Sequence, residues 1–203
     1  WMLASHPEIG TSGPSVNPLV GECNDGRLND LRGRHVTAEH VLAALASAAQ
    51  EEPAAQGAPP LEGSVGAGTG MVCYGFKGGV GTASRRVGDW TLGALLVANF
   101  GRREQLTIRG VPVGRLLGEQ EPGAEEPMRE EPPVSAPGSV MIVLATDAPL
   151  SDRQLGRIAR RGGLGLARTG STVSGGSGDF VIAVSTAQPV PRRAGGELIA
   201  AAH

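Results

Sequence analysis

A glycine–serine bond near the middle of this 203-residue sequence has the surroundings of a backbone cleavage site. The residues before Gly138–Ser139, 118–137, are rich in Glu, Pro and Gly, whereas residues 140–145 form an apolar run of strand length. A bond at such a junction is exposed on one side and anchored on the other. Cleavage there would leave Ser139 as a new N-terminus.

An N-terminal serine carries its own base. The free α-amine of Ser139 would titrate at about 7.7–8.0 if unperturbed, so it could take the hydroxyl proton near neutral pH. Such a site also needs an oxyanion donor and a group that holds the amine. Asn99, at the end of a predicted strand, offers an amide, and Ser177 and Asp179 stand on a glycine loop that enters another predicted strand. The alternative is that Ser177 and Asp179 merely turn the chain and that Asn99 begins a loop.

Other chemistries fit the sequence less well. Residues 75–82 resemble the phosphate loop of MinD/ParA-type ATPases, but that loop needs a lysine directly before the threonine, where this chain has Gly81. A phosphate-loop nucleotide-binding protein therefore stays an alternative to a glycine-rich hairpin close to a site. No Gly-x-Ser-x-Gly elbow leads from a strand into a helix. His35 and His40 lack an evident third ligand, so no metal site is expected.

Composition limits the partners and the compartment. The net charge of −2 favours neither nucleic acid nor an anionic membrane as a partner. No stretch approaches the roughly 20 apolar residues that a membrane span needs. Cys23 and Cys73 form neither a disulfide framework nor a CxxC pair, which predicts a reducing, cytoplasmic location.

The predicted elements form a single domain that mixes helices with strands. Thr37 is expected to cap one helix, and Ser151 another, with Gln154 in the capping-box position and an apolar face that reaches Leu166. Segment 118–137 is predicted to be a disordered acidic linker. The first thirty-odd residues are predicted to be loop with at most one short strand, at 19–22. Strands are predicted at 71–76, 90–98, 106–111, 140–145 and 180–185, and glycine-rich turns at 75–81 and 101–103.

Five stretches, in family order, make the sequence resemble the L-aminopeptidase/D-esterase family. These are the DmpA-like self-processing serine peptidases, which include the β-peptidyl aminopeptidases. The stretches are residues 26–37, 66–85, 92–114, 138–171 and 176–187, and together they span most of the chain.

The resemblance implies an α+β fold, a four-layer αββα sandwich similar to the N-terminal-nucleophile hydrolases and incomplete in this chain. It implies autoproteolysis at Gly138–Ser139 into an α-chain portion, 1–138, and a β-chain portion, 139–203, which together form one domain. Ser139 would then be the acylated nucleophile. Asn99 matches the family's oxyanion asparagine, and Ser177 and Asp179 match the serine and the acidic residue that orient the nucleophile and its amine.

The resemblance also implies a reaction. The family releases N-terminal residues from short peptides, amides or esters, uses no metal or other cofactor, and assembles into multimers, so a homo-oligomer of αβ units is expected. Family members are longer at both ends, which leaves a truncated inactive homologue as an alternative and predicts uncovered sheet edges. A family tyrosine near the nucleophile has no clear match, because Asn24 stands near its place and Tyr74 is a poor substitute.

Overall fold

The computed structural model describes residues 19–49, 60–120 and 138–187, together with Pro7 and Ile9. These residues form six strands, four α-helices and three short 3-10 turns. The strands are β1 (Val72–Cys73), β2 (Phe76–Lys77), β3 (Gly79–Val87), β4 (Trp90–Asn99), β5 (Gly138–Thr146) and β6 (Ser177–Ser185). The helices are α1 (Ala38–Ala49), α2 (Val113–Gln120), α3 (Asp152–Ala159) and α4 (Arg161–Ala167).

Four strands make one mixed sheet in the order β3-β4-β5-β6, and β1 and β2 make a small hairpin beside it. The pairs β3/β4 and β4/β5 are antiparallel, whereas β5 and β6 are parallel. A parallel pair needs a crossover connection, and helices α3 and α4 supply it. The fold class is α+β, as predicted. The predicted strands at 90–98, 140–145 and 180–185 are confirmed, each lengthened by one to three residues.

One face of this sheet carries the hydrophobic core. Val140, fully buried, and Ile142 pack there with Leu166 of helix α4 and with two aromatic rings, Tyr74 and Phe100, that meet edge to face. Residues paired across a sheet share a face, so the opposite face carries the row Asn99, Ser139 and Gly178. We call this opposite face the serine face.

Both predicted helix starts are confirmed. Helix α1 begins after Thr37, whose backbone N–H donates to His40 Nδ1 at 3.1 Å, so this histidine closes the first turn. Ser151 caps helix α3, and its own N–H donates to Gln154 Oε1 at 2.8 Å, which completes the capping box. The helix predicted to reach Leu166 is broken at Arg160, after which α4 begins with glycines that lower helix propensity.

Several other predictions are wrong. The strand expected at 71–76 is the hairpin β1–β2, which turns at Tyr74 and Gly75, both with positive φ (52° and 73°). The turn expected at 75–81 ends early, because strand β3 begins at Gly79. That strand was missed, since it lies at the edge of the sheet and carries glycine, serine and arginine rather than an apolar run.

The segment 106–111 is not a strand. Ile108 and Val111 form one antiparallel bridge around a turn at Arg109 and Gly110 (φ 53° and 85°). No strand forms at 19–22. The first residues of the predicted acidic linker, 118–120, belong to helix α2, and the rest of that linker, 121–137, lies outside the described residues. Over the described ranges, no helix is long and apolar enough to cross a membrane.

Candidate active site

Ser139 is the second residue of β5 and is buried, with 8% of its surface exposed. Its partner on β4 is Asn99, the last residue of that strand, and its partner on β6 is Gly178. A Cβ placed on Gly178 would lie 3.9 Å from the Ser139 Cβ, so the glycine leaves space beside the serine. The serine side chain thus has an amide on one side and no side chain on the other.

The Asn99 side chain is held in one orientation by two backbone groups. Its Oδ1 accepts the Val72 N–H at 3.0 Å, and its Nδ2 donates to the Asn24 carbonyl at 2.8 Å. The same Nδ2 donates to Ser139 Oγ at 3.3 Å. Because the carbonyl oxygen is fixed on the far side, the NH₂ group must face Ser139. An amide aimed at the oxygen of a nucleophile can also donate to the oxyanion that forms when this oxygen attacks a carbonyl.

Ser177 and Asp179 lie on β6, one residue before and one residue after Gly178, the partner of Ser139. Ser177 pairs with Gly138 and Asp179 with Val140, so their side chains belong to the face opposite Ser139. Ser177 Oγ donates to Asp179 Oδ1 at 2.6 Å, and a Cβ on Gly138 would lie 3.2 Å from this Oγ. The pair therefore borders the backbone of the Gly138–Ser139 bond, while Asn99 borders the serine hydroxyl.

The segment before α1 contributes two neighbours, Cys23 and Asn24, and the sequence placed only Asn24 near the nucleophile. Cys23 Sγ–H donates to the Val97 carbonyl at 3.8 Å, and burial raises the pKa of this thiol, although hydrogen bonds from the Ser139 side chain and the Met141 backbone oppose the shift. Asn24 supplies its carbonyl to Asn99, while its own Oδ1 accepts the Gly26 N–H at 2.9 Å. Backbone carbonyls leave no composition signal, which is why the sequence could not reveal this contact.

Tyr74 does not stand in for the family tyrosine. Its ring lies in the core, and its hydroxyl is 2.7 Å from Thr169 Oγ1, beyond the end of helix α4. Burial raises the pKa of this phenol, so it stays protonated. The Tyr74 N–H donates to the Phe100 carbonyl at 2.8 Å, which ties hairpin β1–β2 to the end of β4. Its contribution is to hold the residue that follows Asn99.

The glycine-rich stretch at 75–82 does not form a phosphate loop. It runs through β2 into strand β3, not into a helix, so no helix N-terminus is available for a phosphate. Its lysine, Lys77, is bonded to three backbone carbonyls. In the part of the chain that the structure describes, no group of three His, Cys, Asp or Glu residues could hold a metal ion.

Three comparisons relate the chain to known proteins. The model of peptidase family S58 matches residues 1–202. The sequence is 45% identical over 198 residues to the β-peptidyl aminopeptidase BapA of Sphingosinicella xenopeptidilytica, covering 94% of this chain and 47% of the relative. The chain therefore spans about half the length of the curated relatives that it matches.

Solved structures show the same fold. A Burkholderia β-aminopeptidase superposes with a TM-score of 0.74 at 40% identity, covering 98% of this chain and 52% of that one. The L-aminopeptidase D-Ala-esterase/amidase of Ochrobactrum anthropi, described as a variant of the Ntn-hydrolase fold, gives 0.68 at 41% identity over 86% and 45% of the two chains. The predicted likeness to the N-terminal-nucleophile hydrolases is thus confirmed.

Proposed function

Because the chain belongs to peptidase family S58, we propose that it carries the catalytic centre of a self-processing serine aminopeptidase. It would cut itself at Gly138–Ser139 and then release N-terminal residues from short peptides, amides or esters. One observation carries the proposal: the Asn99 amide, fixed on its far side by the Val72 N–H, donates to the hydroxyl of Ser139, the residue directly after the bond to be cut.

Processing needs no group from outside the chain except water. Ser139 Oγ attacks the Gly138 carbonyl carbon, and the hydroxyl proton moves to the nitrogen of the scissile amide. The C–N bond then breaks, which leaves Gly138 as an ester on Oγ and frees the α-amine of Ser139. Water hydrolyses the ester into the Gly138 carboxylate and the restored hydroxyl. The tetrahedral oxyanion of each addition lies beside Oγ, within reach of the Asn99 amide.

Turnover repeats the chemistry on a second carbonyl. The freed α-amine takes the proton from Ser139 Oγ as this oxygen attacks the substrate, and it returns the proton to the leaving nitrogen or alkoxide. Water then hydrolyses the acyl-enzyme. Ser177 and Asp179 are assigned to the amine rather than to the hydroxyl, because they border the backbone of the scissile bond from the other face of the sheet.

An aminopeptidase assay distinguishes an active enzyme from an inactive homologue. The full natural chain and its Ser139→Ala variant are incubated with aminoacyl p-nitroanilides that carry L-, D- or β-residues. We expect p-nitroaniline release from at least one of these by the wild type and none by the variant. If the wild type released p-nitroaniline from none of the anilides, the inactive homologue would be supported. Equal release by both proteins would show that Ser139 is not the nucleophile.

The assembly is proposed from the family resemblance alone, and the location from the cysteine usage alone. We propose a cytoplasmic location from the cysteine usage, since Cys23 and Cys73 form neither a disulfide framework nor a CxxC pair. A homo-oligomer of αβ units is proposed from the resemblance to multimeric peptidases. Light scattering after size exclusion should give a mass that is a multiple of the processed unit, and a single-unit mass would reject the oligomer.

A further inference from the structure

Lys77 is the only lysine of the sequence, since the other 17 basic residues are arginines. Its Nζ donates three hydrogen bonds, to the carbonyls of Gly68 (2.8 Å), Met71 (3.1 Å) and Gly78 (2.8 Å). An ammonium group has three donors on one atom, so these bonds use all of them. The planar fork of an arginine could not converge on three such acceptors at one point. The choice of lysine is therefore explained by the geometry of this loop.

One of these carbonyls belongs to the peptide group that orients Asn99. The Met71 C=O and the Val72 N–H are the two ends of a single peptide plane. The carbonyl end accepts from Lys77 Nζ and also from the Gly78 N–H at 2.8 Å, and the N–H end donates to Asn99 Oδ1 at 3.0 Å. Fixing the carbonyl therefore fixes the direction of the N–H, and with it the Asn99 amide.

The glycines after Lys77 bring this loop close to the end of β4. A Cβ on Gly78 would collide with the Ala98 carbonyl and lie 3.1 Å from the Cys73 backbone nitrogen. Gly79 has a φ of 154°, and a Cβ there would collide with the Gly63 carbonyl. The sequence Lys-Gly-Gly, which looks like part of a phosphate loop, thus serves close backbone packing and an ammonium contact.

We propose that Lys77 is a positioning residue for the oxyanion donor, an inference that rests on the proposed function. Its ammonium holds and polarises the Met71–Val72 peptide, and this peptide holds and polarises the Asn99 amide. Hydrogen bonds in a chain strengthen one another, and a charged donor at one end increases the effect. The relay runs from Lys77 Nζ through two amides to the Nδ2–H that faces Ser139 Oγ. Its benefit is greatest when negative charge develops on the attacked carbonyl.

The test is a double-mutant cycle on self-cleavage of the full natural chain. The proteins are wild type, Lys77→Met, Asn99→Ala and the double variant, and the rate constant for the Gly138–Ser139 cut is followed by intact mass. We expect Lys77→Met to slow the cut about tenfold, a part of the 10²–10³ that loss of an oxyanion donor costs. In the Asn99→Ala background the same change should have less than about a twofold effect, because the relay then has no end point.

Processed enzyme provides the second measurement. With an aminoacyl p-nitroanilide, Lys77→Met should lower kcat while KM stays within about twofold, since the relay acts on the transition state. Arg85→Met, at an exposed position on β3, is the matched loss of one positive charge and should leave both constants unchanged. If Lys77→Met does not fold, Lys77→Arg replaces it in the cycle. That variant keeps the charge but not the three convergent bonds, and it should slow the cut with little change in Tm.

The outcomes separate the two proposals. Equal effects of the lysine change in both backgrounds would show a general structural role and overturn the inference, and so would no effect at all. A wild type that never cuts itself would instead reject the proposed function, and the inference would fall with it.

Discussion

At the scale of single residues, the four predicted site residues are divided between two faces of one sheet. Asn99 shares a face with the serine hydroxyl, whereas Ser177 and Asp179 lie on the other face, beside the backbone of Gly138 and Val140. This division follows from the two-residue period of strands. In the proposed mechanism, the group on one face would stabilise the oxyanion while the pair on the other face holds the amine.

Replacing Asn99 tests the oxyanion assignment. In Asn99→Ala we expect the rate constant of self-cleavage to fall by about 10²–10³, the usual effect of losing one oxyanion donor. The rate is measured by intact mass over time. Asn29→Ala is the control, since this exposed asparagine bonds only to Asp25 among the contacts described for its side chain, and it should process normally. A rate for Asn99→Ala within threefold of wild type would contradict the assignment.

The charge of Asp179 should be visible in a pH profile. A carboxylate close to the freed amine stabilises the ammonium form, which raises the pKa of that amine. Asp179→Asn removes the charge, so the amine should lose its proton at lower pH and the acidic limb of kcat should move to lower pH. The measurement is hydrolysis of one anilide between pH 5 and 10, with Asp152→Asn as an exposed control. If the acidic limb stayed unchanged or moved to higher pH, Asp179 would not be in contact with the amine.

At the scale of elements, the sequence predicted the parts whose signals are local. The apolar run of β5, the strands β4 and β6 and the capping box of α3 were all visible in residue order. Strand β3 was not, because an edge strand is stabilised by its one partner and by burial that its own composition does not reveal. The turn of hairpin β1–β2 was not predicted either, because it places Tyr74 at positive φ, which is uncommon for a bulky residue.

For the candidate site, the sequence singled out four residues that the fold brings together, but it did not reveal how they are held. Ser139, Asn99, Ser177 and Asp179 are brought to adjacent strand positions. The groups that orient Asn99 are the Val72 N–H and the Asn24 carbonyl. Any residue could supply the carbonyl, and any residue except proline could supply the N–H. Only the fold shows which backbone groups meet a side chain.

Hairpin β1–β2 gives a prediction at this scale. The Tyr74 hydroxyl bonds to Thr169 Oγ1, which also donates to the Leu166 carbonyl at 2.7 Å. Tyr74→Phe keeps the buried ring and removes one hydrogen bond, so we expect the free energy of unfolding to fall by about 1 kcal/mol. Urea denaturation measures this. A loss above about 3 kcal/mol, the range of a lost aromatic ring, would mean that the ring itself had moved.

At the scale of the whole molecule, one edge of the sheet is covered only at its start, and one face is partly exposed. The start of β3 is covered by Gly63, which exchanges two backbone hydrogen bonds with Val80 (2.8 and 2.9 Å), so the expected uncovered edge is partly closed there. The serine face is different, since Phe180 on this face is 61% exposed. A four-layer αββα sandwich places a second sheet against such a face.

The central claim is that Ser139 frees its own α-amine. The most direct test is intact mass with N-terminal sequencing of the purified full natural chain, beside its Ser139→Ala variant. We expect two fragments in the wild type, the second beginning Ser-Val-Met-Ile-Val, and a single uncut chain in the variant. A wild type that stays in one piece, or one cut at any other bond, would contradict it.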